Sequence, residues 1–274
     1  MAAASLRIAC VQNCATDDIA ANINTALGLV EAAAADGARL ICLPENFSWL
    51  AQSDAEYVAN AVTEAQHPAL ARSTALAREL AIWLLLGSLT VRESDGRIFN
   101  RCLLIDPSGA VTARYDKIHL FDVNVRDGHE YRESDTIAPG TRQVVADTPW
   151  GGLGMSICYD VRFPHLYRAL ARAGARWLTV PAAFTRKTGE AHWHVLLRAR
   201  AIETGCFVIA PGQCGTRPWG RATFGHSLII DPWGTVIADG GTDEGVVSAT
   251  VDPAESDRVR AMIPSLEHDR PFGP

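Results

Sequence analysis

The sequence predicts an α/β protein built as a four-layer α-β-β-α sandwich of two similar halves. Strand-like and helix-like segments alternate in the same order twice along the chain. The turn Ile-Asp-Pro-x-Gly-x-Val occurs at residues 105–111 and again at 230–236. Such a turn is common, so the second copy in the same relative place is the informative observation. Each half is expected to form a sheet with helices on one face, and the two bare faces are expected to pack together.

The first half begins with an apolar strand at residues 6–12. An alanine-rich helix follows at 17–35, starting near Thr16 and stopped by Gly37. A strand at 39–43, a helical stretch at 54–80 and a strand at 82–91 come next. Two further strands within 97–115 fold over the turn at 106–109.

The second half repeats this order. We expect a strand at 152–158, a helix at 164–173, a strand at 176–180, a helix at 191–204 and a strand at 207–210, followed by strands around the second Asp-Pro turn. Two strand ends also correspond, since Leu-Pro-Glu-Asn-Phe at 43–47 matches Val-Pro-Ala-Ala-Phe at 180–184.

Composition limits the partners. The chain has 274 residues, 48% of them hydrophobic and 20% charged, which suits one domain over residues 1–274. A formal net charge of −6 with mixed signs gives no basic stripe, so nucleic acid and anionic membrane are poor partners and a small molecule fits better. The N-terminal residues do not resemble a signal peptide and no apolar run approaches membrane-spanning length, so we expect a cytoplasmic protein.

The seven cysteines do not form a recognisable framework. Their number is odd, and they show neither a C-x-x-C pair nor a paired Cys/His metal spacing, so neither a disulfide framework nor a zinc site is implied. We also expect that the protein needs no cofactor or metal. Four of them occupy apolar strand-like runs typical of the core, namely Cys10, Cys42, Cys102 and Cys206.

Cys158 is different because it follows a glycine-flanked strand, just before a helix. In open α/β sheets, ligands bind beyond the carboxyl ends of the strands, and the predicted strand ends also bring Glu45 and Lys117 there. A thiol needs a base to remove its proton or a positive charge to stabilise the thiolate. A carboxylate and an ammonium supply both, so these three residues form a candidate nucleophilic site.

Lysine usage singles out Lys117. The chain has 25 Lys and Arg residues, but only Lys117 and Lys187 are lysines. A compact ammonium can approach an oxyanion in a way that a planar guanidinium cannot. We therefore expect a chemical role for Lys117, whereas Lys187 is expected to be a solvated loop residue.

Three segments resemble the signature segments of the nitrilase (carbon-nitrogen hydrolase) superfamily. They are Leu-Pro-Glu-Asn-Phe at 43–47, Tyr-Asp-Lys-Ile-His-Leu-Phe-Asp at 115–122 and Ile-Cys-Tyr-Asp-Val-Arg-Phe-Pro at 157–164. Thr-Gly-Glu-Ala-His-Trp at 188–193 and Gly-His-Ser at 225–227 resemble the Nit branch, closest to amidases of deaminated glutathione. The Tyr-Asp pair after Cys158 also resembles the amidases rather than the true nitrilases.

The resemblance implies an α-β-β-α fold and a Glu-Lys-Cys triad, carried onto Glu45, Lys117 and Cys158. A second glutamate near the lysine corresponds to Glu133, which would orient Lys117 or share in the acid-base chemistry. Glu45 would take the thiol proton, and Lys117 with the Tyr159 N–H would hold the oxyanion before a thioester forms. The resemblance also implies a homodimer or higher homo-oligomer.

Nit-type substrates are short 2-oxo acid amides, so the site needs a carboxylate anchor. Arg162 offers a bidentate guanidinium and Thr188 a hydroxyl, while Phe184 would shape the pocket. An ion pair with Asp160 or Glu203 is the alternative role for Arg162. The resemblance implies deaminated glutathione as substrate, cut to 2-oxoglutarate and cysteinylglycine, with 2-oxoglutaramate, the substrate of ω-amidases, as the alternative.

Three other functional classes fit the sequence less well. A serine hydrolase would use Ser156, but the closing glycine of the nucleophile-elbow motif is absent. A metal hydrolase based on His192 and His194 is disfavoured because helical residues two apart point to different faces. His119, His129 and His226 are expected to be hydrogen-bonding or loop histidines. A catalytically inactive binding or scaffold protein is the third alternative, and an intact triad argues against it.

Overall fold

Two six-stranded sheets dominate the architecture of the computed structural model, which describes residues 5–124 and 130–271. In spatial order, the first sheet contains β14 (Gly245–Val251), β1 (Leu6–Gln12), β2 (Leu40–Cys42), β3 (Trp83–Arg92), β4 (Ile98–Ile105) and β5 (Val111–Asp116). The second contains β13 (Val236–Asp239), β12 (Leu228–Ile230), β11 (Phe207–Ala210), β10 (Ala175–Thr179), β9 (Gly152–Met155) and β8 (Val145–Ala146). The strands at the centre of each sheet run parallel and the outer pairs run antiparallel.

Helices cover the outer faces of the sheets. The helices packed on the strands are α1 (Ile19–Ala35), α3 (Pro68–Leu80), α4 (Pro164–Arg172) and α5 (Arg186–Thr204). Two shorter helices are α2 (Asp54–Asn60) and α6 (Glu255–Met262). Short 3-10 helices occur at Glu64–Gln66, Glu133–Asp135 and Cys158–Arg162. Within the residues that the structure describes, no helix is both long enough and apolar enough to cross a bilayer.

Successive side chains along a strand of the first sheet point to opposite faces, and each face packs against a different apolar layer. Ile8 and Cys10 belong to the cluster that contains Met155 and Leu178 of the second sheet, so they face the middle of the molecule. Their neighbour Ala9 belongs to the cluster that contains Leu27 of α1 and faces the outer helices. The predicted α-β-β-α sandwich of two similar halves is therefore confirmed.

The helical stretch predicted at 54–80 is broken into two helices. After α2 the chain extends at Ala61, and the neighbouring Val62 forms a parallel bridge with Val91 of β3. Pro68 then starts α3, and a proline disfavours a helical conformation in the residue before it. The first helix also begins later than predicted, at Ile19, because the Asp18 carboxylate caps it by accepting the Ala21 N–H at 3.0 Å.

Several elements were not predicted. Strand β14 follows the second half in sequence but pairs antiparallel with β1, from Leu6 opposite Val251 to Gln12 opposite Gly245. Strand β14 is thus the edge strand of the first sheet, and it connects the end of the second half to the first half. Strands β6 (Asp122–Asn124) and β7 (Glu130–Arg132) pair antiparallel in a separate two-stranded sheet, between Lys117 and Glu133 in sequence.

Two boundaries near the candidate site differ from the prediction. The strand expected to reach Cys158 ends at Met155, so the thiol stands at the start of the following 3-10 helix. The helix expected from residue 191 begins at Arg186, which places Lys187 in its first turn rather than in a loop. Gly189 allows this start because a Cβ there would lie 2.3 Å from Cγ of Phe224.

Candidate active site

A cavity of about 930 Å³ opens at the carboxyl ends of the central strands. Glu45, Lys117, Glu133 and Cys158 all lie on its wall, although they are far apart in sequence. Gly87 lets the two sheets meet at its base, because a Cβ there would lie 1.9 Å from the Leu43 carbonyl oxygen and 2.6 Å from Cβ of Pro181. The cavity volume is typical of small-molecule sites.

Glu45 is held on both of its carboxylate oxygens. Its Oε1 accepts from Lys117 Nζ at 2.9 Å and from Asn100 Nδ2 at 2.9 Å, and its Oε2 accepts from the Ala183 N–H at 2.8 Å. The residue is only 4% exposed. A buried carboxylate with this many donors has a fixed orientation, which suits a group that must meet one particular proton.

Lys117 lies between two glutamates. Besides Glu45, it contacts Glu133 Oε2 at 2.8 Å and Oε1 at 3.1 Å. Glu133 also accepts the Phe121 N–H at 2.7 Å, which fixes it from the side of β6. Two carboxylates thus surround one ammonium that is 2% exposed, so the charge is paired as a buried lysine requires.

The backbone of Cys158 is in the left-handed region, with φ of 46°. Its N–H donates to the Pro181 carbonyl at 2.9 Å, and the Asp160 carboxylate accepts the Ile157 N–H at 2.8 Å. A non-glycine residue with positive φ is strained and is held only by its surroundings. This sharp turn carries the thiol to the cavity wall that Glu45 also lines.

The charges in this cluster determine its resting protonation. Burial raises the pKa of the Cys158 thiol, and the negative charge of Glu45 raises it further against the opposing effect of Lys117. Burial by itself would lower the pKa of Lys117, but Glu133 and Glu45 outweigh it and hold that pKa well above its usual range. Burial also works to raise the pKa of Glu45, yet the charge and hydrogen bond of Lys117 bring it below its ordinary value.

These directions describe a protonated thiol next to an ionised carboxylate and a charged ammonium. Such an arrangement can transfer the thiol proton to Glu45 while the sulfur attacks an electrophile. The ammonium can then stabilise negative charge that develops nearby.

Asn100 was not identified by sequence reasoning, although it links the two glutamates. Its Nδ2 donates to Glu45 at 2.9 Å and to Glu133 Oε1 at 3.3 Å. The available signal was a polar residue in the middle of β4, whose eight residues are all buried. Asn100 contributes a neutral donor that holds the two carboxylates around Lys117.

Only two of the four predicted substrate-binding residues line the cavity. Phe184 and Thr188 line the cavity, whereas the side chains of Tyr159 and Arg162 do not. The Arg162 guanidinium lies 5.4 Å from the Phe184 ring centroid and 5.7 Å from that of Tyr159, and its Nη2 is 3.3 Å from Nδ1 of His192. Arg162 therefore packs against the rings of Tyr159 and Phe184 outside the cavity lining.

Neither acid considered as an ion-pair partner for Arg162 is engaged with it. Asp160 instead accepts from Tyr115 Oη at 2.7 Å, and Glu203 pairs with Arg200 at 2.5 Å.

Other cations line the cavity in place of Arg162. Arg186 and Arg221 both do so, and Arg186 donates to Thr216 Oγ1 at 3.2 Å. Within residues 5–124 and 130–271, the buried Nε of Arg221 and Nε1 of Trp219 have no hydrogen-bond partner. Two donors without partners beside a cavity are suited to a polar ligand. Sequence reasoning missed Trp219 and Arg221 because they belong to a loop without a recognisable motif.

The described residues of the alternative sites contact other parts of the protein and do not line the cavity. Ser156 is fully buried, with its hydroxyl 2.7 Å from Tyr167 Oη and 2.7 Å from the Thr179 carbonyl oxygen. His192 and His194 turn to different neighbours, as expected, since His192 contacts Arg162 and His194 contacts Asp239. His119 and His226 each bond a carboxylate, and His129 lies outside the described residues.

Comparison with known proteins gives a consistent result. Residues 7–261 match the model of the carbon-nitrogen hydrolase family. The deaminated glutathione amidase of Synechocystis is 43% identical over 271 residues, which cover 95% of this chain and 96% of the relative. The human protein of the same name is 42% identical over 269 residues, covering 96% and 82%.

A solved structure is also similar to this chain. The crystal structure of the C. elegans NitFhit protein superposes with a TM-score of 0.90 at 36% identity, covering 98% of this chain and 66% of that one.

Proposed function

The chain belongs to the carbon-nitrogen hydrolase family and is an amidase, and we propose that it hydrolyses deaminated glutathione to 2-oxoglutarate and cysteinylglycine through a thioester on Cys158. The observation that supports this most directly is the buried Glu45–Lys117–Cys158 cluster on the wall of one cavity. The names of the relatives suggest the substrate.

Acylation begins with the protonated thiol and the ionised Glu45 carboxylate on the same cavity wall. Glu45 accepts the proton as the sulfur attacks the amide carbonyl carbon, and the electron pair of the C=O bond moves onto oxygen. The Lys117 ammonium and the Tyr159 N–H hold this oxyanion. Tyr159 is the second residue of its 3-10 helix, where backbone N–H groups lack a carbonyl partner within the helix. Glu45 then protonates the leaving nitrogen, the C–N bond breaks and the thioester remains.

Deacylation uses the same groups. Glu45 takes a proton from a water molecule that attacks the thioester carbonyl, and the thiolate leaves and recovers the proton. Glu133 keeps Lys117 charged and oriented during both steps through its contacts at 2.8 and 3.1 Å. Glu133 is thus proposed as a positioning residue.

The cations of the cavity favour a substrate with two carboxylates. Deaminated glutathione carries one on its 2-oxo acid end and one on its glycine end. Arg186 and Arg221 line the cavity in addition to the buried Lys117. The Arg221 Nε that has no partner among the described residues can donate to one carboxylate. Phe184 and Thr188 contribute an apolar wall and a hydroxyl.

Steady-state kinetics test the substrate assignment. Deaminated glutathione and 2-oxoglutaramate are cut at the same bond and differ in the leaving group, a dipeptide or ammonia. We expect a much larger kcat/KM for deaminated glutathione, because only its dipeptide extends across the wide cavity to a second cation. An equal or larger value for 2-oxoglutaramate would reassign the enzyme as an ω-amidase.

Replacement of Lys117 by arginine is expected to lower kcat about 10²- to 10³-fold, the range for loss of one oxyanion donor. The guanidinium keeps the charge but is too broad for the space between Glu45 and Glu133, so its donors are displaced from the oxyanion. Lys187→Arg is the matched control, because that lysine is exposed on the cavity rim. Wild-type kcat in Lys117→Arg would remove the oxyanion role.

Arg221→Met and Arg162→Met form a paired test of the carboxylate anchor. We expect Arg221→Met to raise KM about 10- to 100-fold with little change in kcat, since a charge-assisted hydrogen bond to substrate contributes about 1.5–3 kcal/mol. Arg162→Met is expected to change KM less, because its guanidinium faces aromatic rings. The opposite ranking would restore Arg162 as the anchor.

The pH profile should be unusually flat. The pKa of Glu45 is lowered, so its ionised form is lost only as pH falls below the ordinary glutamate value of about 4.3. The pKa values of Cys158 and Lys117 are raised, so their protonated forms persist above the ordinary cysteine value of about 8.5. We expect kcat/KM to stay constant between these limits with an amide that lacks a thiol. A rise or fall of kcat/KM centred near neutral pH would contradict a protonated thiol beside an ionised Glu45.

The proposals for domain organisation, cellular location and oligomeric state follow from the resemblance and the composition. We propose a single domain over residues 1–274 that acts in the cytoplasm as a homodimer or larger homo-oligomer. Analytical ultracentrifugation of the purified chain tests the oligomeric state, and a sedimentation coefficient of a monomer at micromolar concentration would contradict it.

A further inference from the structure

Two histidines and an aspartate meet at the surface away from the Cys158 thiol. His194 lies on α5, His226 lies in the loop before β12, and Asp239 ends β13. His194 Nε2 is 3.1 Å from Asp239 Oδ2, and His226 Nδ1 is 2.9 Å from Asp239 Oδ1. The three potential ligand atoms all lie within 4.8 Å of one another. Three separate elements therefore present two imidazole nitrogens and one carboxylate to a common point.

We propose that His194, His226 and Asp239 form a binding site for Zn²⁺ or a similar divalent ion such as Co²⁺ or Ni²⁺. Ligand atoms around a tetrahedral zinc ion with bonds of about 2.0–2.1 Å lie about 3.3 Å apart. The nitrogen-to-oxygen distances of 2.9 to 3.1 Å are close to that value. Two imidazoles and one carboxylate leave a fourth position for water, and this donor set suits zinc, cobalt or nickel better than calcium or magnesium.

The surroundings orient all three side chains. Asp239 Oδ1 also accepts the Gly241 N–H at 2.9 Å, which fixes the carboxylate. The His226 ring stacks on Phe224 with centroids 4.4 Å apart, and His194 meets the same ring edge-on at 6.0 Å. Partners that orient ligands in this way are a usual feature of metal sites.

The site is accessible and ready to bind. The side chains of His194 and Asp239 are each 35% exposed and that of His226 is 25% exposed, so an ion can enter from solvent. Each imidazole offers its Asp239-facing lone pair when its proton is on the other ring nitrogen.

A bound ion would join α5 to the β12–β13 hairpin beside the cavity wall. Phe224 connects the two places, because its ring fills the space over Gly189 and its N–H donates to the Phe184 carbonyl at 2.9 Å. Binding should therefore raise the melting temperature of the protein. The chemistry of the Glu45–Lys117–Cys158 cluster does not use this ion.

Metal titration of the Cys158→Ala protein tests the proposal, since this background removes the cavity thiol as a competing ligand. After treatment with a chelator, we expect it to take up one equivalent of Zn²⁺ in competition with a chromophoric chelator and to melt at a higher temperature. Co²⁺ should give the visible d–d bands of a tetrahedral site without the sulfur-to-cobalt charge-transfer band of a cysteine site.

His194→Ala and Asp239→Asn in the same background should lose this equivalent, whereas His192→Ala, on another face of the same helix, should keep it. Circular dichroism of the metal-free variants checks that each is folded. Equal uptake by His194→Ala and its parent, no uptake by the parent, or a thiolate charge-transfer band would each overturn the proposal.

Discussion

Cys158→Ala is expected to lose amidase activity by at least about 10⁴-fold in kcat, while the protein remains folded. Without sulfur there is no acceptor for the acyl group, and only binding and oxyanion stabilisation are left. The side chain is small and lies on the cavity wall, so its truncation should cost little stability. Initial rates on deaminated glutathione and a thermal melt measure the two effects.

Cys14→Ala is the control for this variant. Cys14 is a partly exposed cysteine outside the cavity lining, and its loss should leave the rate unchanged. Activity in Cys158→Ala comparable to that of the control would show that the reaction does not pass through this thiol.

Glu45→Gln is expected to reduce kcat by about 10³- to 10⁴-fold, the upper range for loss of a general base. Glutamine has the same shape, and its carbonyl oxygen can still accept the Ala183 N–H that Glu45 accepts at 2.8 Å. It cannot take the proton of Cys158. Glu190→Gln, which neutralises an exposed acid of the same cavity, is the matched control and should keep most of the activity.

The same variant has a second readout that a purely structural role would not produce. The negative charge of Glu45 raises the pKa of the Cys158 thiol, so its removal should lower that pKa. Iodoacetamide should then alkylate Cys158 at a lower pH in Glu45→Gln than in the wild type, although amide hydrolysis is lost. Loss of both reactivities together would indicate a disrupted site instead of a missing base.

The layering of the fold could be predicted because it depends on local patterns. Apolar runs, glycine stops and the two Asp-Pro turns are visible in sequence, and the sandwich and the family resemblance are both confirmed. The pairing of β14 with β1 could not be predicted, since nothing local to residues 245–251 specifies which sheet edge they join. The start of α5 at Arg186 was missed because Gly189 usually marks a loop, whereas here it accommodates Phe224.

Four residues of the candidate site could be predicted because their side chains have a specific chemistry and lie in recognisable motifs. Glu45, Lys117, Glu133 and Cys158 were selected from motifs and chemistry, and the structure brings them together, while their catalytic roles remain predictions. Asn100 and Arg221 were missed because their importance lies in what they approach in space. Arg162 was selected because its guanidinium could anchor a carboxylate, but the side chain lies against the rings of Tyr159 and Phe184 and does not line the cavity.

Trapping the acyl-enzyme tests the proposed chemistry most directly. Wild-type enzyme mixed with excess deaminated glutathione is quenched in acid within the first turnovers, digested and analysed by mass spectrometry. We expect a 2-oxoglutaryl thioester on the peptide that contains Cys158, and none in Cys158→Ala. Turnover without any acylated peptide, or acylation at another residue, would contradict this expectation.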